Sequence, residues 1–257
     1  MRKHKDIQTN KLSLNRIEGE PFFKENRVKQ TIKKLCAIIL MLLMMIPAAM
    51  AEEMAPTLLY MGQASIRIVT AEGKVIYIDP YAGDQYDLPA DLILVTHGHF
   101  DHCAIDKVAN RNKGCQIITH KEAVIDGVHQ VFDLPYVRVE AVEAGFNRWH
   151  DVQECVGYVL TFSNGCSVYV TGDTSATDQM ARMKDKHIDY AFWCTDGVFN
   201  MDPEEAARCA EAVGARYNIP YHNDTSNSGQ MFDAEKAKQF PAPNLMVVLP
   251  GEQIEIR

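Results

Sequence analysis

Residues 91–103 read Asp-Leu-Ile-Leu-Val-Thr-His-Gly-His-Phe-Asp-His-Cys. The apolar run Leu92 to Val95 fits a buried strand, and Thr96 closes it. His97, His99, Asp101 and His102 follow at once. Imidazoles and a carboxylate packed this closely are ligands for zinc or a similar divalent cation. The chain has only 9 histidines in 257 residues, so such a cluster is not what a polar surface loop requires. The spacing H-x-H-x-D-H also divides the set. His97 and His99 can point the same way from an extended segment. Asp101 and His102, at a turn, can reach a second position. One short loop therefore offers ligands to two metals.

Ligands in a loop need strands to hold them. From Thr57 onwards, Leu58–Met61, Ser65–Val69 and Val75–Ile78 read as short strands broken by Gly62 and Gly73. Asp79-Pro80 closes the third, with Asp79 either a turn residue or a partner for a ligand histidine. After the ligand loop, 102–110 is predicted as a helix, Gln116–Thr119 as a strand and Lys121–Ile125 as a short helix. Val137–Val142 is a strand, and Gly145–Asp151 is a polar loop. Val156–Phe162 and Ser167–Val170 form a hairpin about Asn164-Gly165, which ends in Thr171-Gly172-Asp173-Thr174. A helix over 176–185 and a strand over Ile188–Trp193 follow. Asp202 caps a further helix with Pro203 in its first turn. Arg216–Tyr221 is a strand that ends at His222. A helix near 233–239 and a strand over Leu245–Leu249 complete the series. Asp173 and His222, like the first loop, stand where strands end. His129 and His187 lack such a context and read as surface residues.

The N-terminal segment is expected to be a leader rather than part of this domain. Lys33-Lys34 precede the apolar run Leu35 to Ile46, and Ala49-Met50-Ala51 makes an A-x-A site before Glu52. Residues 1–51 are therefore expected to be a secretory signal peptide, with export to the periplasm or the medium. The apolar run is short for a membrane span, so no stable span is expected once the leader is cleaved. The whole chain carries a formal charge of -8, and removal of the Lys/Arg-rich leader makes the rest more acidic. An acidic surface argues against nucleic acid as a partner and leaves a small-molecule substrate. Beyond the leader stand Cys103, Cys115, Cys155, Cys166, Cys194 and Cys209. They match no zinc-finger spacing. They are expected mostly as buried thiols, with disulfides the alternative open to an exported chain.

The string His97–His102, with Thr171-Gly172-Asp173-Thr174, resembles the signature of the metallo-β-lactamase superfamily. His150 ahead of Val156-Gly157-Tyr158-Val159-Leu160, and Asn200–Ala207 ahead of Ile219-Pro220-Tyr221-His222, are similar to the branch with ascorbate-6-phosphate lactonase-like proteins. The likeness runs over nearly all of 57–250. It implies an α+β fold, a four-layer αββα sandwich, as a single domain over 52–257. It implies that His97, His99 and His150 hold one metal and Asp101, His102 and His222 the other, with Asp173 between them. His120 is the competing candidate for the place of His150. It favours Asp79 as a partner of a ligand histidine. The implied cofactor is a pair of divalent ions, zinc first, with Mn2+, Ni2+ or Fe as alternatives. The implied activity is hydrolysis of a lactone, ester, amide or phosphodiester by a metal-bridged hydroxide, with Asp101 orienting the nucleophile or carrying a proton. Two other readings are a non-catalytic metal-binding protein of the same fold and an exported β-lactamase. The second is disfavoured, because β-lactamases with this first motif use a cysteine at a later metal position, and Asp173 stands in that part of the chain.

Overall fold

The structure is a computed structural model and describes residues 29, 31–35, 55–226 and 231–257. The chain divides into two units, Met1–Glu52 and Glu53–Arg257. In the first, 29 and 31–35 are helical, and the rest of the expected leader lies outside the described residues. No described helix is long and apolar enough to cross a membrane.

The second unit is an αββα sandwich built on two six-stranded sheets. The first sheet holds β1 (Thr57–Gly62), β2 (Ser65–Val69), β3 (Val75–Ile78), β4 (Ala90–Leu94), β5 (Arg111–Ile118) and β14 (Gln253–Glu255), in the order β14-β1-β2-β3-β4-β5. The second holds β8 (Val131–Leu134), β9 (Val137–Glu143), β10 (Val156–Phe162), β11 (Ser167–Val170), β12 (Tyr190–Cys194) and β13 (Tyr217–Tyr221), in the order β13-β12-β11-β10-β9-β8. Each sheet starts with antiparallel pairs and continues into parallel ones, β3-β4-β5 in the first and β11-β12-β13 in the second. Parallel neighbours need long connections, and the ligand loop lies in one of them, between β4 and β5. A minor ribbon pairs β6 (Val124–Ile125) with β7 (Val128–His129).

Alternation along β1 sorts its side chains between two cores. Leu58 and Tyr60 join Ile66, Ile78, Leu92, Val139, Tyr158, Val170 and Phe192 in the main core between the sheets. Leu59 and Met61 face the other way, packing with Tyr77, Ile93 and Val108 under the loops outside the first sheet. The helix Pro203–Val213 buries Ala206, Cys209, Ala210 and Val213 and packs against β12 of the second sheet. Asp202 caps it through Glu205 N, and Gly214 ends it in the left-handed conformation.

Three predicted elements take another form. The 102–110 helix is reduced to one 3-10 turn, Ile105–Lys107. Ala104 N donates to Pro80 O instead of starting a helix, and the Arg111 guanidinium takes the carbonyls of Ile105 and Val108. The 176–185 helix is likewise replaced by two 3-10 turns, Met180–Arg182 and Lys184–Lys186. There the N–H groups of Ala176 and Gln179 donate to Glu205 and Glu143 side chains. The run over Leu245–Leu249 is not a strand. Leu245 makes one bridge to Asn218 and the run packs on the core, while the pairing falls to Gln253–Glu255. None of the six described cysteines is in a disulfide. His187 is exposed, as expected, but His129 is half-buried.

Candidate metal centre

The first ligand loop leaves β4 at Val95 and is anchored through Asp79. Asp79 is fully buried, with a left-handed backbone, φ +45°. Its Oδ1 accepts from Thr96 N at 2.7 Å and its Oδ2 from Thr96 Oγ1 at 2.7 Å. The same Oδ2 lies 2.8 Å from His102 Nδ1, so Nδ1 carries the proton and Nε2 faces away. Thr96 Oγ1 also lies 3.1 Å from His97 Nδ1. Its hydroxyl proton is committed to Asp79, so His97 Nδ1 must donate, and His97 Nε2 too is left as a lone pair. One carboxylate thereby sets two imidazoles.

The second sheet supplies the other side. His150 comes from the β9–β10 loop, where Asn147 Oδ1 accepts from its backbone N at 3.0 Å and lies 3.2 Å from its Nδ1. Asp173 follows β11 through Gly172, whose φ is +64°. A Cβ on Gly172 would stand 2.8 Å from Val156 O and 3.1 Å from Thr96 Cβ, so only glycine lets the two sheets meet there. His222 follows β13 with φ +44° and donates its backbone N–H to Gln63 O at 3.1 Å.

All seven expected ligands come together. Their donor atoms form three overlapping groups, each within 4.8 Å: His97, His99 and His150; His97, His102 and Asp173; Asp101, His102 and His222. Asp173 Oδ2 lies 3.3 Å from both His150 Nε2 and His222 Nε2, and Oδ1 lies 3.4 Å from His102 Nε2. Asp173 thus stands between the two sets. His120 joins none of the groups. It is half-buried at the start of the helix His120–Ala123, with its Cε1 3.6 Å from where a Cβ on Gly98 would lie.

The atoms facing the centre fit a cation. His97 Nε2, His102 Nε2 and Asp173 Oδ1 are buried with no hydrogen-bond partner. Such groups are costly in a folded interior, and a metal ion would satisfy all three. Burial, helped by the His102 charge, holds His97 well below the ordinary imidazole pKa. Burial also lowers that of His150. Burial pushes His102 and His222 the same way, but the Asp173 carboxylate, joined by Asp79 at His102, raises both. Burial would raise Asp173, but His222 and His102 hold it well below the carboxylate range. A cation here would compete with protons for His102 and His222, so its affinity would weaken as the pH falls.

A cavity of roughly 420 Å3 opens over Asp101, Asp173, His150 and His222, and Gln63, Phe100, Trp149 and Phe199 also line it. Several of these groups are absent from the sequence-based expectations. Gln63 Nε2 donates to Asp101 Oδ2 at 2.8 Å and lies 2.9 Å from His222 Nε2. Its signal was its place beside Gly62, in a tight turn that puts a non-glycine residue at φ +50°. Asp196 Oδ2 lies 3.6 Å from His222 Nδ1, in a loop whose sequence marks it only as a connection.

A family model described as a beta-lactamase superfamily domain matches residues 57–222. A metal-dependent hydrolase of Rubrobacter xylanophilus is 28% identical over 240 residues, covering 80% of this chain and 99% of its own. One from Geobacillus thermodenitrificans is 29% identical over 224 residues, covering 77% and 98%. A solved metallo hydrolase of Ignicoccus hospitalis has the same fold, with a TM-score of 0.60 at 20% identity over 78% of this chain and 98% of that one.

Proposed function

Because this chain belongs to the metallo-β-lactamase superfamily and is a metal-dependent hydrolase, we propose that it works with two divalent ions, zinc in the first instance. The observation that carries this is the convergence of seven donor side chains on one centre, three of their atoms buried without partners. His97, His99 and His150 would hold one ion and Asp101, His102 and His222 the other, with Asp173 shared. Bound there, the ions would acidify a water between them to give a nucleophile near neutral pH, and polarise the carbonyl or phosphoryl oxygen under attack.

The chain's own groups do the rest. Asp79 and Thr96 fix the His97 and His102 tautomers with their Nε2 atoms toward the centre. Asp101 is the more accessible of the two ligand carboxylates, with a side chain 18% exposed against 4% for Asp173. It opens on the cavity and can carry the proton from the attacking water to the leaving group. Gln63 steadies that carboxylate from behind through its amide. The substrate is a small molecule with a lactone, ester, amide or phosphodiester bond. Elemental analysis of protein purified without chelator tests this. About two ions per chain are expected, and chelation should abolish hydrolysis. A metal-free protein, or hydrolysis that survives complete removal of metal, would overturn the reading.

A further inference from the structure

The mouth of the cavity is aromatic. Phe100, Trp149 and Phe199 are 73%, 46% and 41% exposed and all line the opening. Trp149 and Phe199 come from different loops yet meet edge to face, 5.5 Å between ring centres. Single exposed aromatics need no explanation, but three around one opening make a contact surface for an apolar group. Among the described residues, no Lys or Arg lines the cavity. Arg148 is not among the lining residues, and its guanidinium stands 4.5 Å from the centre of the Trp149 ring. Asp101 and Asp173 belong to the ligand set. Asp224, also in the lining, spends Oδ1 on the backbone N and hydroxyl of Ser226.

A second charge on the substrate, remote from the bond cleaved, would therefore be poorly received. A remote anion would leave water for aromatic rings and a carboxylate, with no Lys or Arg in the lining to repay its desolvation. A remote cation would meet a Trp149 ring already engaged by Arg148. A neutral apolar group would bury aromatic surface at no such cost. We propose that this enzyme acts on esters or lactones whose remote portion is uncharged and apolar, an alkyl chain or ring seated against Trp149, Phe199 and Phe100. Phosphorylated or carboxylated tails are excluded. The proposal rests on the hydrolase reading above, because the metal centre would hold the scissile carbonyl. In the reaction the acyl C–O bond breaks and the water oxygen forms the new one. One water proton goes to the leaving alcohol, and the other leaves with ionisation of the acid.

Three 4-nitrophenyl esters of equal chain length separate the cases: hexanoate, the mono-ester of adipic acid, and 6-aminohexanoate. With the zinc-loaded full chain, kcat/KM for the hexanoate is expected to exceed the other two by about tenfold or more. Trp149→Ala, and separately Phe199→Ala, should shrink that preference through KM. Equal or better cleavage of the adipate or the aminohexanoate, or a preference that neither substitution alters, would overturn the proposal. A binding measurement separates the proposal from the reading it rests on. Free hexanoate, adipate and 6-aminohexanoate can be titrated against tryptophan fluorescence. Hexanoate is expected to bind about tenfold tighter than either, with its quenching lost in Trp149→Phe. That selectivity without any ester cleavage would support the pocket and count against the hydrolytic reading. Binding without selectivity would sink the proposal even in an active enzyme.

Discussion

Asp79 does not line the cavity over the centre, yet it decides which nitrogen of His102 carries a proton and, through Thr96, which nitrogen of His97 does. Asp79→Asn keeps the shape but removes the charge and can turn a donor toward His102. Such partners of metal ligands typically matter by about 10- to 100-fold in affinity, so a zinc titration of this variant should show a loss of that order. The two contested histidines separate in the same assay. His150→Ala removes a donor that lies among His97, His99 and Asp173, so bound metal should fall below that of the parent. His120→Ala touches only packing near Gly98 and should leave the metal content close to the parent. Metal loss in His120→Ala but not in His150→Ala would exchange their roles. Circular dichroism must first show that both are folded.

Elements were legible where burial and pairing coincide. The β10–β11 hairpin has the predicted ends, because its apolar strands flank an Asn-Gly turn and face a core on both sides. The candidate ligands at strand ends could be placed for the same reason, since apolar runs stop where the sheet does. Sequence patterns misled where the two part. Leu245 to Val248 is apolar because it covers the core, not because it pairs. β5 is an edge strand that starts in polar, exposed residues, so only its last part looked like a strand. The 102–110 and 176–185 segments have helical composition, but distant side chains and carbonyls take their backbone groups. The close approach at Gly172 gives an element-level prediction. Gly172→Ala meets backbone at 2.8 Å and adds left-handed strain, whereas Gly165→Ala, at φ +84° in the hairpin turn, meets nothing within 4 Å. Gly165→Ala should cost about 1 kcal/mol and Gly172→Ala clearly more, about 3 kcal/mol, by denaturant unfolding. Equal losses would mean that Gly172 is not packed against Val156 O and Thr96 as described.

The proposed ligand set is split between the two sheets. His97, His99, Asp101 and His102 follow β4 of the first sheet, and His150, Asp173 and His222 come from the second. Backbone contact between the halves near the centre is sparse, with Val156 N on Thr96 O and His222 N on Gln63 O. Ions bound there would therefore join what the backbone ties lightly. Ligand at a thousand times its Kd contributes about 4 kcal/mol, so chelation should lower Tm by roughly ten degrees in a chain of this size. A Tm indifferent to chelator would mean that the sheets hold together without the ions. At the far side of the first sheet, β1 gains its outer neighbour only from β14, with Thr57 opposite Glu255 and Leu59 opposite Gln253. During synthesis β1 emerges early and must wait for residues 253–255. Until then its outer edge stands unpaired, open to a strand from another nascent copy. A premature stop before Gln253 would leave that edge bare for good, and aggregation, rather than lost catalysis, would be its first symptom.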